Sequence, residues 1–190
     1  MIDFQEIEAS YSPAGSLGQR CIEIFGHAVN GVRRLNVGCG GQKFPGWINA
    51  DKELPWLITE GREQEPDVLW DMDYYHEIPL PLESFDVILA SHVLEHVADP
   101  VAVVFRLHTL LKPGGRLLVL VPNAWSDVGL CNPFHRNYFS MHSFVYYRKS
   151  TYDQPGTPGY HANEGRPIAD WASVQVAMVD EYEIAAVLTK

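Results

Sequence analysis

The feature that most constrains this chain is a short apolar run ending in glycines, Arg33-Arg34-Leu35-Asn36-Val37-Gly38-Cys39-Gly40-Gly41. It reads as a buried strand that enters a tight loop, because glycine permits backbone angles and close approaches that other residues resist. A second extended segment, Trp47-Ile48-Asn49-Ala50-Asp51, follows after only a few residues, with Pro45 and Gly46 between. That interval leaves little room for the long crossover helix that usually joins parallel strands, so the first crossover helix is predicted to be reduced or absent.

Three more strand-like segments follow, Val68 to Asp71, Phe85 to Ser91 and Arg116 to Val121. Between the last two the sequence predicts a helix. Asp99 is its N-cap, Pro100 its first residue, Val101, Val104, Phe105, His108 and Leu111 its apolar side, and Gly114-Gly115 its stop. Ser173 to Val179 and Ile184 to Thr189 read as an antiparallel hairpin at the sheet edge. A short helix is expected near Met141 to Tyr147, and another over Ser12 to Val29, where Leu17, Cys21, Ile24, Phe25 and Ala28 recur at helical spacing. Strands alternating with helices predict an α/β fold, a doubly wound and mostly parallel sheet.

Composition narrows the function. With 190 residues, 46% hydrophobic and 12% aromatic, there is material for one sizeable core. A formal net charge of −10 argues against a nucleic-acid partner. The acidic N-terminus and the shortness of runs such as Leu117 to Val121 predict neither secretion signal nor membrane span, hence a cytoplasmic protein. Three widely spaced cysteines, Cys21, Cys39 and Cys131, are expected to be reduced thiols.

In an open parallel sheet, ligands bind at the carboxyl ends of the strands. There the chain carries glycines (Gly38, Gly40, Gly41), whose amides can meet an anionic group, then Asp51, which can accept from a ribose diol, then Asp71, Met72 and Asp73, suited to an adenine ring, then Ser91-His92-Val93-Leu94-Glu95-His96. Each has a plain alternative as a turn or cap. Their order along successive strands favours a nucleotide-like ligand.

The blocks Leu35 to Gly40, Gly46 to Asp51, Ser84 to Ile88, Ser91 to His96 and Leu110 to Leu117 together resemble the class I S-adenosylmethionine-dependent methyltransferases, over about residues 33 to 125. The resemblance implies a Rossmann-like seven-stranded sheet and S-adenosylmethionine as cofactor. It implies that Gly38, Cys39 and Gly40 lie by the methionine part, Asp51 by the ribose, Asp71 or Met72 by the adenine, and Ser91 and His92 by the methyl group. The thirteen positions from Gly38 to Asp51 depart from the usual longer interval, which leaves the cofactor carboxylate without a helix start behind it. One domain is expected, with an N-terminal helical segment (1–32), a cofactor core (33–125), acceptor-side loops (126–170) and the closing hairpin (171–190).

His92-Val93-Leu94-Glu95-His96 also matches H-x-x-E-H, in which two histidines on one helix face bind zinc. The pattern begins directly after a predicted strand, so helix packing is preferred for Glu95 and His96, no metal is expected, and a zinc peptidase is the weakest reading. In proteins of the resembling family a His-Arg-aromatic stretch faces the acceptor. On that ground His135 is a candidate base beside His92, and Arg136, Tyr138 and Trp125 are candidate substrate contacts, with a structural role for the same loop as the alternative. The expected reaction is methyl transfer to an oxygen or nitrogen of a small-molecule or sugar-type acceptor. The competing reading is an inactive methyltransferase-like binding or scaffold protein.

Overall fold

The computed structural model describes residues 31–52, 65–74, 78–152 and 167–190. It divides the chain into two units, Met1–Gly31 and Val32–Lys190, and the description concerns the second. The helix expected over Ser12 to Val29 lies outside the described residues.

Seven strands form one sheet: β1 (Arg34–Val37), β2 (Ile48–Asp51), β3 (Val68–Leu69), β4 (Phe85–Ser91), β5 (Leu111–Pro122), β6 (Ser173–Met178) and β7 (Glu183–Thr189), in the order β3-β2-β1-β4-β5-β7-β6. The first five run parallel, and β7 joins β5 and β6 antiparallel. Ile88, Leu89 and Ala90 of β4 and Leu117 to Val121 of β5 are almost wholly buried, as the central strands of a covered parallel sheet require. Burying each such large side chain stabilises the fold by about 1.5–3 kcal/mol.

The helix α1 (Pro100–Leu110) crosses from β4 to β5. Asp99 caps it by accepting from the Val101 and Ala102 amides, both at 3.1 Å. Two expectations are corrected here. The helix stops at Leu110, and Gly114-Gly115 instead form an irregularity inside β5, which pairs Leu111 with Phe85 before resuming at Arg116 with Val87. A Cβ on Gly115 would stand 2.9 Å from the Lys112 carbonyl oxygen, so glycine is there for backbone approach rather than for a cap. The buried face is also rotated: Val103, Val104, Arg106, Leu107 and Leu110 are buried, while Val101, Phe105 and His108 are only partly so.

The short elements α2 (Asp127–Cys131) and α3 (Lys149–Tyr152) flank a 3-10 helix at Ser143–Tyr147, within the span of the short helix expected near Met141 to Tyr147. Between β1 and β2 there is no helix, only turns. Buried amides brace that loop instead. Asn36 Nδ2 donates to the Gln42 carbonyl and to Asn49 Oδ1, and Asn49 Oδ1 accepts from the Phe44 amide at 2.9 Å.

Candidate functional site

Because β1 to β4 are parallel, their carboxyl ends lie along one edge of the sheet, and the residues that follow them open into a common cleft of ≈ 1000 Å³. Gly38, Gly40, Asp51, Asp71, Met72, His92 and Arg136, all predicted from the sequence, line it. Gly38 has φ +63, and a Cβ there would stand 2.2 Å from Cγ2 of Val93, so the β1 loop passes hard against the turn after β4. Gly40 has φ +51, and the space its Cβ would occupy is open.

Asp51 ends β2. Its Oδ2 accepts from the Gly40 amide at 2.6 Å and its Oδ1 from the Lys52 amide at 2.7 Å. Burial pushes its carboxyl above the usual aspartate range, and the two amide hydrogen bonds hold it back. Each oxygen keeps acceptor capacity for hydroxyls in the cleft. Asp71 turns the next loop by accepting from the Asp73 amide at 3.0 Å, and Asp73 in turn accepts from Ala98 at 2.8 Å. Arg106 of α1, 9% exposed, donates to the carbonyls of Met72 and Tyr74 and fixes this wall from behind.

After β4 the backbone breaks sharply, with His92 at φ +55, in the left-handed region that non-glycine residues seldom occupy. Its Nε2 lies 2.7 Å from Oε1 of Glu183 on β7 and its Nδ1 3.3 Å from Oε1 of Glu95. The hydrogen bond to Glu183, followed by the Glu95 carboxylate, raises the imidazole to about 10 against the opposing effect of burial. At neutral pH His92 is therefore an imidazolium with no lone pair to receive a proton.

This geometry corrects the H-x-x-E-H reading, since His92 to His96 form turns rather than a helix and His92 reaches toward β7. Instead Glu95, His96 and His135 come together, offering one donor atom each within 4.8 Å of one another. His135 itself lies outside the cleft wall; it is His96, assigned to packing from the sequence, that lines the cleft.

Four other predicted residues also fall outside the wall. Cys39 is buried, its thiol pushed up to about 11 by burial and by Asp51, and its amide donates to the Ala50 carbonyl at 3.2 Å. Ser91 is still held in the ladder opposite Leu120, because the chain leaves the sheet only at His92. Trp125 (85% exposed) and Tyr138 (55% exposed) stand in solvent. The sequence reading missed Lys52, Trp70, Val93, Val97 and Pro133. Lys52 and Trp70 sit one residue from predicted positions, and Val93 lies inside a motif already singled out, so each was within reach of the strand-end rule. No pattern marked Pro133 apart from the rest of its loop.

A mostly parallel sheet of this order, with β7 antiparallel and a glycine loop and an acid at consecutive strand ends, is the arrangement of the class I S-adenosylmethionine-dependent methyltransferases. The family model described as a methyltransferase domain matches residues 19–155, and the chain belongs to that family. The chain is 35% identical over 111 residues to a ubiquinone biosynthesis O-methyltransferase of Xylella fastidiosa, covering 50% of this chain and 44% of that one. It is 34% identical over 100 residues to the protein of the same description from Ruegeria pomeroyi, covering 45% and 39%. The chain thus spans less than half the length of these curated relatives. A solved structure of a SAM-dependent methyltransferase from Archaeoglobus fulgidus superposes with a TM-score of 0.57 at 16% identity, covering 100% of both chains, and shares the fold.

The residues present fit S-adenosylmethionine. Asp51 has acceptor capacity left for a ribose diol, Gly40 leaves its side of the cleft open, and Met72, 7% exposed, offers an apolar surface beside Asp71.

Proposed function

We propose that this chain transfers a methyl group from S-adenosylmethionine to an oxygen of a small-molecule or sugar-type acceptor, in the cytoplasm. The observation that supports it most is the joining of Asp51 to Gly40 at the edge of a single cleft, which sets an acid and an open glycine loop side by side. The names of the curated relatives favour oxygen over nitrogen as the receiving atom. Among the described residues no helix is long and apolar enough to cross a membrane.

When bound, the cofactor supplies an electrophilic methyl carbon attached to a sulfonium sulfur. The chain's share is positioning and exclusion of water. In this reading Gly38 and Gly40 admit the amino-acid part, Asp51 holds the ribose hydroxyls, and Asp71 with Met72 borders the adenine. His92, clamped between Glu183 and Glu95, acts as a fixed cation that locks the turn after β4. Arg136, 3.6 Å from Asp73 and mostly exposed, is placed to meet an anionic group on the acceptor. Removal of the acceptor's proton falls to the paired rings of His96 and His135, of which His96 lines the cleft.

The test is transfer of labelled methyl from S-adenosylmethionine to a panel of hydroxylated aromatics, sugars and amines. Label in hydroxyl-bearing acceptors, lost with Asp51→Ala, is the expected result. Saturable cofactor binding with no transfer to any acceptor would replace enzyme with binding protein.

A further inference from the structure

Two histidines and a glutamate meet at the cleft, one of them, His96, in its wall. His96 Nδ1 lies 3.2 Å from the Phe134 carbonyl oxygen, and His135 Nδ1 lies 2.9 Å from that of Gly129. A carbonyl can only accept, so in the neutral form of each ring the proton sits on Nδ1 and Nε2 is left bare. This is the arrangement by which proteins orient metal-binding imidazoles, with a backbone carbonyl fixing the tautomer from behind.

The third member is Glu95, 1% exposed, whose two carboxylate oxygens accept no hydrogen bond among the described residues. The imidazolium of His92 lies 3.3 Å away but is not aligned as a hydrogen bond, and His96 Nε2 is 4.0 Å from Oε1. A buried carboxylate that accepts no hydrogen bond is costly. The rings of His96 and His135 are 4.9 Å apart between centroids.

The scaffold holds the group together from both sides. The Glu95 carbonyl accepts from the amides of Arg136 (2.7 Å) and Asn137 (3.1 Å), and Asn137 Nδ2 donates to Leu94 and Val97. A Cβ on Gly129 would stand 2.1 Å from the Asn123 carbonyl oxygen, so the carbonyl that orients His135 is packed in place.

We propose that Glu95, His96 and His135 form a binding site for a divalent first-row transition cation. Two imidazole nitrogens and one carboxylate suit such an ion better than calcium or magnesium, which favour all-oxygen shells. Ligand bonds of about 2.0–2.2 Å require the donor atoms to draw in by roughly 1 Å, within reach of side-chain rotation. His96 lines the cleft, so a cation held by this group would lie beside the space in which an acceptor would sit. There the ion can bind an acceptor oxygen and make its hydroxyl more acidic; that role rests on the methyl-transfer reading, whereas the site itself does not.

The test is titration of the chelator-treated full chain with Co2+ and Zn2+, followed by calorimetry and the visible spectrum of bound Co2+, without cofactor. One equivalent per chain is expected, weakened at least about tenfold by His135→Asn and by Glu95→Gln, and unchanged by His142→Ala on the exposed surface. Asn at position 135 keeps a donor for the Gly129 carbonyl, and circular dichroism verifies the fold of each variant. No saturable binding would overturn the proposal. Binding that His135→Asn leaves unchanged would also overturn it. Cofactor titration of the same samples separates this outcome from failure of the methyltransferase reading.

Discussion

Asn36 Nδ2 donates to Asn49 Oδ1 at 3.2 Å across the first two strands, and both side chains are buried. The pair stands where a crossover helix would otherwise shape the path from β1 to β2. Asn49 also donates to the carbonyls of Phe44 and Trp47 and to the Asp67 carboxylate, so one amide ties the glycine loop, β2 and the entry to β3. Asn49→Ala is expected to lower stability by about 1–3 kcal/mol, because buried partners lose their bonds, and to weaken cofactor binding with it. Chemical denaturation and calorimetry check the two effects.

Gly38 and Gly40 separate backbone strain from steric clash. Gly38→Ala places a Cβ 2.2 Å from Val93 at φ +63, whereas Gly40→Ala meets only strain at φ +51. We expect Gly38→Ala to cost about 2–4 kcal/mol and Gly40→Ala about 1–2 kcal/mol. Adding Val93→Ala should recover part of the first loss and none of the second, as thermal unfolding of the four variants would show.

Arg106 braces the cleft from outside it. Arg106→Leu keeps much of the packing on α1 but leaves the Met72 and Tyr74 carbonyls without their donor. The expected outcome is a loss of about 1–3 kcal/mol in stability and a weaker hold on the adenosine part of the cofactor. Comparing the affinities for adenosine and for S-adenosylhomocysteine locates the effect. Equal affinities in variant and parent would remove Arg106 from the account.

Asp67 gives the fold an acid dependence. Hydrogen bonds from Lys43 and Asn49 lower its carboxyl from 3.8 to about 2. A depressed folded value means the stabilisation is fully present above about pH 4 and is lost as pH falls through 2. The side chain is 39% exposed, so the effect is small. Lys43→Met should flatten the stability profile in that window, and urea unfolding at a series of pH values would detect it.

Much of the sheet was legible in the sequence because buried strands carry continuous apolar runs. Phe85 to Ser91 was read with the bounds it has, and the C-terminal hairpin to within a residue at each end. Gly114-Gly115 misled, since a helix stop and a strand irregularity call for the same residue. At the cleft, strand ends located Gly38, Gly40, Asp51, Asp71, Met72 and His92, because chain direction alone fixes them. What composition and spacing could not show was long-range pairing. His92 meets Glu183 from ninety-one positions away, and His135 joins Glu95 and His96 from a separate loop. The amphipathic pattern of α1 gave no sign that Arg106 would turn inward, since its partners are carbonyls.

The central claim is that the glycine loop and Asp51 hold S-adenosylmethionine. Calorimetric titration of the chain and of its Asp51→Ala variant with the cofactor tests it most directly. The account predicts saturable one-site binding to the parent and a loss of at least about tenfold, or 1.4 kcal/mol, in the variant. No binding to the parent, or equal binding by both, would contradict it.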